Sequence, residues 1–216
     1  MKLFVAILGW GLGSVLGYAQ SVQLLFSQPP NTSGTLTWTA SLVQPGRKVT
    51  QSNLVLTASG RRLTVRMESV FAADGAPLRM ISETVSGTAL LQRIVADFRP
   101  DGVHLSGERA SKKLNQVVAY PEGAPWKDVG EFWFLRDQPK PGAKLLTYRF
   151  SLEDLQWRVQ ERHYVGRSKK KIGNREWEGH LVRVDGGEFL LDDRGDPIWI
   201  ETTTGATLTR KEKPNL

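Results

Sequence analysis

Cysteine is missing from all 216 residues. That absence excludes a disulfide framework, a thiolate metal site, an iron–sulfur cluster, a thiol nucleophile and a lipidated N-terminal cysteine. Histidine is scarce. His104, His163 and His180 are the whole supply, and none stands in a His-x-x-x-His or His-x-Glu spacing that would turn two ligands toward one point. There is no Gly-x-Ser-x-Gly elbow, no Ser-x-x-Lys pair and no glycine-rich phosphate loop ahead of a helix. Beyond residue 19 no stretch is apolar for the roughly 18 residues that mark a membrane helix. The chain is therefore expected to be no enzyme, to hold no cofactor or metal, and to have no transmembrane span once its leader is gone.

The remaining composition is that of a folded protein. Apolar residues make up 40% and charged residues 24%, with 29 Lys+Arg against 22 Asp+Glu and a net charge of +7. Disordered chains are far less apolar. At the N-terminus Lys2 precedes an apolar run, Leu3–Leu16, and Gly17, Tyr18 and Ala19 put small residues where a signal peptidase reads. This order of charge, apolar core and small-residue site is a secretory signal. Residues 1–19 are expected to be removed and the protein exported, to the periplasm or outside the cell. The breaker cluster Gln28–Gly34 marks 20–34 as an irregular N-terminal segment. Residues 35–210 then form a single antiparallel β domain, and 211–216 a C-terminal tail.

Alternation fills that domain. Leu36, Trp38, Ala40 and Leu42 alternate with Thr35, Thr37, Thr39 and Ser41. Leu63, Val65, Met67, Ser69 and Phe71 alternate with charged and polar neighbours. Leu146, Tyr148, Phe150 and Leu152 share one parity, as do Leu155, Trp157 and Val159. A period of two gives a sheet one apolar and one wet face, the signature of antiparallel pairing. Turns fall between the runs at Ser59-Gly60, Asp74-Gly75, Asp101-Gly102, Gly173-Asn174, Asp185-Gly186 and Asp193–Gly195, so about ten to twelve strands are expected. The fold class is all-β: a mostly antiparallel, strongly curved sheet forming an unclosed or half barrel, with a β-sandwich as the alternative.

Helix is scarce. Ser151–Asp154 resembles a capping box, but a turn followed by a strand is favoured there, and Gly87–Ile94 is the second place for a short helix. Taking Gly173-Asn174 as a two-residue turn sets Lys171 opposite Glu176, Lys169 opposite Glu178 and Val165 opposite Val182. Tyr120–Gly130, with two prolines, is a long connection.

A turn sequence recurs. Phe71–Pro77 is echoed in Phe189–Pro197, each with Asp and Gly in the turn and Pro opening the return strand. The leader, the cysteine-free antiparallel domain and the closing Phe189–Trp199 hairpin resemble a group of uncharacterised bacterial envelope proteins. These are similar in turn to the lipoprotein-carrier superfamily. That resemblance implies a curved, unclosed β-barrel around a hydrophobic cavity, and a hydrophobic or amphipathic ligand such as a lipid or lipidated protein.

For such a cavity Trp38, Phe71, Trp157, Trp177 and Trp199 are the candidate wall residues, because large aromatics line apolar pockets as readily as they fill cores. The basic run Arg167, Lys169, Lys170 and Lys171 is the sharpest charge feature. Its candidate partner is anionic lipid or an acidic envelope protein, and docking through this hairpin as a non-catalytic scaffold module is the alternative function. Nucleic acid is not expected for an exported chain. Asp192, Asp193 and Asp196 are too interrupted for a calcium loop and read as a polar turn. N-terminal sequencing of protein recovered from its own host should find Gln20 first; an intact Met1 would refute the leader.

Overall fold

The computed structural model describes residues 20–28, 32–44, 47–58, 60–72, 76–122, 138–193 and 195–211. The expected leader, the 211–216 tail beyond Lys211 and most of the Tyr120–Gly130 connection lie outside these.

The strands, in chain order, are β1 (Gln20–Gln28), β2 (Thr32–Gln44), β3 (Arg47–Ala58), β4 (Arg61–Phe71), β5 (Pro77–Ser86), β6 (Ala89–Arg99), β7 (Gly102–Arg109), β8 (Lys112–Val118), β9 (Lys144–Ser151), β10 (Gln156–Ile172), β11 (Arg175–Val184), β12 (Gly187–Leu191), β13 (Pro197–Glu201) and β14 (Thr207–Arg210). They form one 14-stranded sheet in the order β8-β7-β6-β5-β4-β3-β2-β1-β14-β13-β12-β11-β10-β9. Every pairing is antiparallel. This is a single curled, unclosed sheet and not a sandwich. The first and last strands pair at its middle, with Leu24 opposite Arg210 and Ser27 opposite Thr207, and β8 and β9 are its edges.

Two expectations change. The described part of 20–34 is not irregular: 20–28 form β1, a full strand with partners on both sides, and 32–34 open β2. Val22, Leu24 and Phe26 are buried at 9%, 1% and 2% exposure, a period-two apolar face that outweighs the breakers that follow it. Gly87–Ile94 contains no helix either; Gly87 and Thr88 turn the chain directly into β6. At Ser151–Asp154 the capping-box residues make a single turn: the Ser151 hydroxyl accepts from the Asp154 amide at 3.2 Å, and Arg158 donates to the Asp154 carboxylate at 2.6 Å. The chain then enters β10.

Parity holds through most of the sheet. Val65, Met67, Ser69 and Phe71 of β4 all point inward and are buried. It fails in β9 and β10, where Thr147 and Gln160 are buried while Leu146 and Val159 are 62% and 56% exposed. Phe150 is nevertheless buried and Trp157 packs against the same core, both meeting Phe98 of β6. In the β10–β11 hairpin, Lys171 faces Glu176 and Lys169 faces Glu178 as expected. The register then slips at a bulge between Tyr164 and Gly166, so Val182 faces Tyr164 and Val165 is the extra residue. The echoed turns share their geometry. Phe71 pairs with Pro77 and Leu191 with Pro197, each next to a register shift. Ala72 donates to the Ala76 carbonyl at 2.8 Å, and Asp192 to that of Asp196 at 2.9 Å.

The curl needs close backbone approach. A Cβ at Gly34 would collide with the carbonyl oxygen of Val55, and one at Gly179 with that of Leu191. Gly34 lies near the start of β2 and Gly179 within β11, and at either position a side chain would force the neighbouring strand away. Gly179→Ala should lower unfolding free energy by about 1–3 kcal/mol, the usual scale of overpacking, as read from urea denaturation. An unchanged midpoint would show that the bend does not depend on the missing side chain.

Candidate ligand-binding interior

One cluster fills the concave side of the sheet. It draws Leu24 and Phe26 from β1, Leu36 and Trp38 from β2, Leu54 and Leu56 from β3, Ile94 from β6, Val103 and Leu105 from β7, and Phe189, Ile200 and Leu208 from the C-terminal arm. Residues far apart in sequence meet here because the curl brings both arms round to one core. Burial of such side chains stabilises by about 1.5–3 kcal/mol each, so this face is the dominant source of stability.

The edges β8 and β9 are not paired with each other. Side chains span the seam. Phe98 of β6 meets Phe150 edge-on with ring centroids 5.9 Å apart, and Trp157 at 6.1 Å. Trp157 also packs on Phe150 at 5.4 Å and on Tyr120 at 5.6 Å. The Tyr120 hydroxyl donates to the Arg99 carbonyl at 2.7 Å, and burial together with the Asp101 charge pushes its pKa up. Arg109, at the end of β7, donates to the Glu153 carbonyl at 2.8 Å. Among the described residues, closure thus rests on aromatic contacts and a few hydrogen bonds, with no strand pairing between β8 and β9.

The oily interior holds a polar band. Thr50, Ser52, Ser69, Ser82 and Thr84, on adjacent strands β3 to β5, are all buried. Among the described residues, the buried side-chain atoms Trp38 Nε1, Ser82 Oγ, Thr147 Oγ1 and Trp157 Nε1 have no hydrogen-bond partner. Trp38 and Ser82 lie in one lateral row, since Trp38 faces Ser52, Ser52 faces Met67 and Met67 faces Ser82. A buried polar group without a partner costs about 1–3 kcal/mol. On β10, Arg162 is 5% exposed and donates to Gln160 Oε1 at 3.2 and 3.1 Å, while Gln160 donates to Asp185 at 3.0 Å.

Of the five candidate wall residues, Trp38, Phe71 and Trp157 belong to this interior, buried in it or packed against it. Trp177 and Trp199 do not. Leu190 and Trp199 face each other on the side opposite Phe189 and Leu191, and form a second cluster with Ile198, flanked by Ile172 and Trp177. Both sides of the sheet are apolar at this point, and parity alone does not say which is concave. The seam residues Phe98, Tyr120 and Phe150 were not legible as wall, because they meet only across the curl.

The basic run is largely neutralised. Arg167 bonds Glu178 and Asp193, and Lys169 lies 3.2 Å from Glu176. Lys170 sits 2.9 Å above the Trp199 ring and 3.8 Å from both Glu188 and Glu201. The aspartates are committed as well. Asp192 receives Arg210 at 2.9 Å and the Asp196 amide at 2.9 Å. Asp193 is held below its usual pKa by Arg167 and His180. Among the described residues no group of three or more His, Asp or Glu is placed to hold a metal ion.

The fold is shared with a solved structure. The chain is similar to a beta-barrel-like protein of a domain of unknown function, DUF1849, from Brucella abortus. The two are 9% identical with a TM-score of 0.60, over 89% of this chain and 95% of that one. At that identity the likeness is one of architecture. No protein-family model and no curated protein matches the sequence.

His180 joins the interior to the surface. Its Nδ1 lies 2.9 Å from the Tyr164 hydroxyl and its Nε2 3.4 Å from Asp193. Burial first, and then Arg167, hold its pKa below the ordinary histidine value. The unfolded chain therefore takes up a proton here more readily than the fold does. This contribution to stability is complete above the ordinary value and is lost as pH falls through the lowered one. Thermal midpoints measured from about pH 7 down to 5 should fall less steeply for His180→Gln than for the parent; parallel curves would remove His180 from the account.

Proposed function

We propose that this protein is an exported, non-catalytic envelope protein that binds or carries a hydrophobic or amphipathic ligand, a lipid or a lipidated protein, within the curl of its sheet. One observation carries the reading: the apolar interior contains buried hydrogen-bonding atoms, among them Trp38 Nε1 and Ser82 Oγ, that no group among the described residues satisfies. A purely structural core gains nothing from them, whereas a guest with an apolar body and a polar head supplies both missing partners and apolar contact. Apolar burial contributes roughly 25 cal/mol per Å². The seam between β8 and β9 offers the way in, because parting Phe98 from Phe150 and Trp157 breaks no strand pairing.

Export rests on the leader pattern. The first described strand begins at Gln20, so removal of residues 1–19 leaves the pairing of β1 with β2 and β14 whole.

The test is native mass spectrometry, with lipid extraction, of protein purified from its own host, alongside displacement of a fluorescent fatty acid. A co-purifying ligand and saturable displacement are expected. Ser82→Ala should make the empty protein more stable by about 1 kcal/mol, because it deletes an unsatisfied buried hydroxyl, while weakening the probe about fivefold. Absence of ligand and probe binding, or a destabilised Ser82→Ala, would end the proposal.

A further inference from the structure

The opposite, solvent-facing side of the sheet carries a groove of 450 Å³ across β2 to β6. That volume falls within the range of small-molecule sites. Unlike the interior, nine of its ten lining residues are polar or charged, with Ile81 the single apolar side chain. Cross-strand pairing accounts for most of its charges. Glu83 meets Arg93 at 3.2 Å, and Glu68 accepts from Gln51 at 2.8 Å.

Arg66 is left out. It lies directly between Asn53 on β3 and Glu83 on β5, yet the Glu83 carboxylate has turned to Arg93. Among the described residues the Arg66 guanidinium has no ion pair, and the side chains of Asn53, Thr37 and Thr39 beside it in the groove make no hydrogen bond. A planar five-donor fork thus stands next to an amide and two hydroxyls, groups that both donate and accept.

We propose that this groove binds a small polyhydroxylated monocarboxylic acid, a sugar acid, independently of any guest in the interior. Arg66 holds the carboxylate with two parallel N–H···O bonds. Asn53, Thr37 and Thr39 read the hydroxyls, whose own dual donor–acceptor character matches theirs. Ile81 meets the C–H face of the sugar ring. Glu68 and Glu83 frame the groove and select against a doubly charged group, since like-charge repulsion grows with ligand charge. A dianionic phosphate is therefore disfavoured.

The experiment is an NMR titration of the full ¹⁵N-labelled chain with D-glucuronate, with D-glucose and inorganic phosphate as comparison ligands. Glucuronate should shift the amides around Asn53, Arg66 and Glu83 saturably and leave those of the interior face still. Glucose and phosphate should each bind at least about tenfold more weakly. Arg66→Gln should weaken glucuronate by about tenfold or more, Arg66→Lys by less because it keeps the charge and loses the fork, and Lys112→Gln not at all. Arg66 is exposed, so both of its variants should fold, and thermal midpoints confirm it. Diffuse or unsaturable shifts, equal binding of phosphate, or an Arg66→Gln variant that binds normally would overturn the proposal. Loss of the interior lipid reading would leave these results unchanged.

Discussion

Two free edges govern this molecule. An antiparallel sheet with one apolar face and unpaired rims must hide that face and protect those rims. Curling meets the first need, because the two arms that spread from the β1–β14 pair face each other across one core. Among the described residues the second is met without strand pairing: Phe98, Tyr120, Phe150 and Trp157 interlock across the seam. Backbone pairing sets the shape of the wall, and these contacts help to shut it.

Charge follows a different logic. Most ionised groups on the outer surface pair with a neighbour one strand away, as Arg79 does with Asp97 at 3.4 Å and Lys144 with Glu161 at 2.8 Å. Exposed pairs of this kind contribute little to stability. Their effect is to consume the charges: the basic hairpin and the aspartate turn, each conspicuous in the sequence, are joined by Arg167, which bonds Glu178 on one and Asp193 on the other. What the pairing leaves over, among the described residues, includes the Arg66 guanidinium outside and a few hydroxyl and indole groups within that have no hydrogen-bond partner.

What the sequence disclosed was local. Alternation identified the buried side of β4 residue by residue, and the Gly173-Asn174 turn set its hairpin register as far as Gly166 opposite Leu181. Beyond that point Val165 drops out of the ladder and every pairing moves by one. Trp177 and Trp199 were read as wall because large aromatics on alternating strands look alike whichever side they take. Their packing with Leu190 and Ile198 places them in a cluster apart from the interior. Arg66, Glu83 and Arg93 belong to three different strands, and no spacing links them. The polar band was visible residue by residue, as Ser69 among the apolar positions of β4. Its continuity from β3 to β5 required the register.

The pairing of the first strand with the last has a consequence for how the polypeptide matures. β1 has β2 available as soon as the following residues emerge, but its other flank stays bare until β14, the final element, arrives. Joining segments at opposite ends of a chain is entropically slow. A polypeptide threaded N-terminus first through a translocation pore would thus stay incomplete, and pliable, until almost its whole length had crossed.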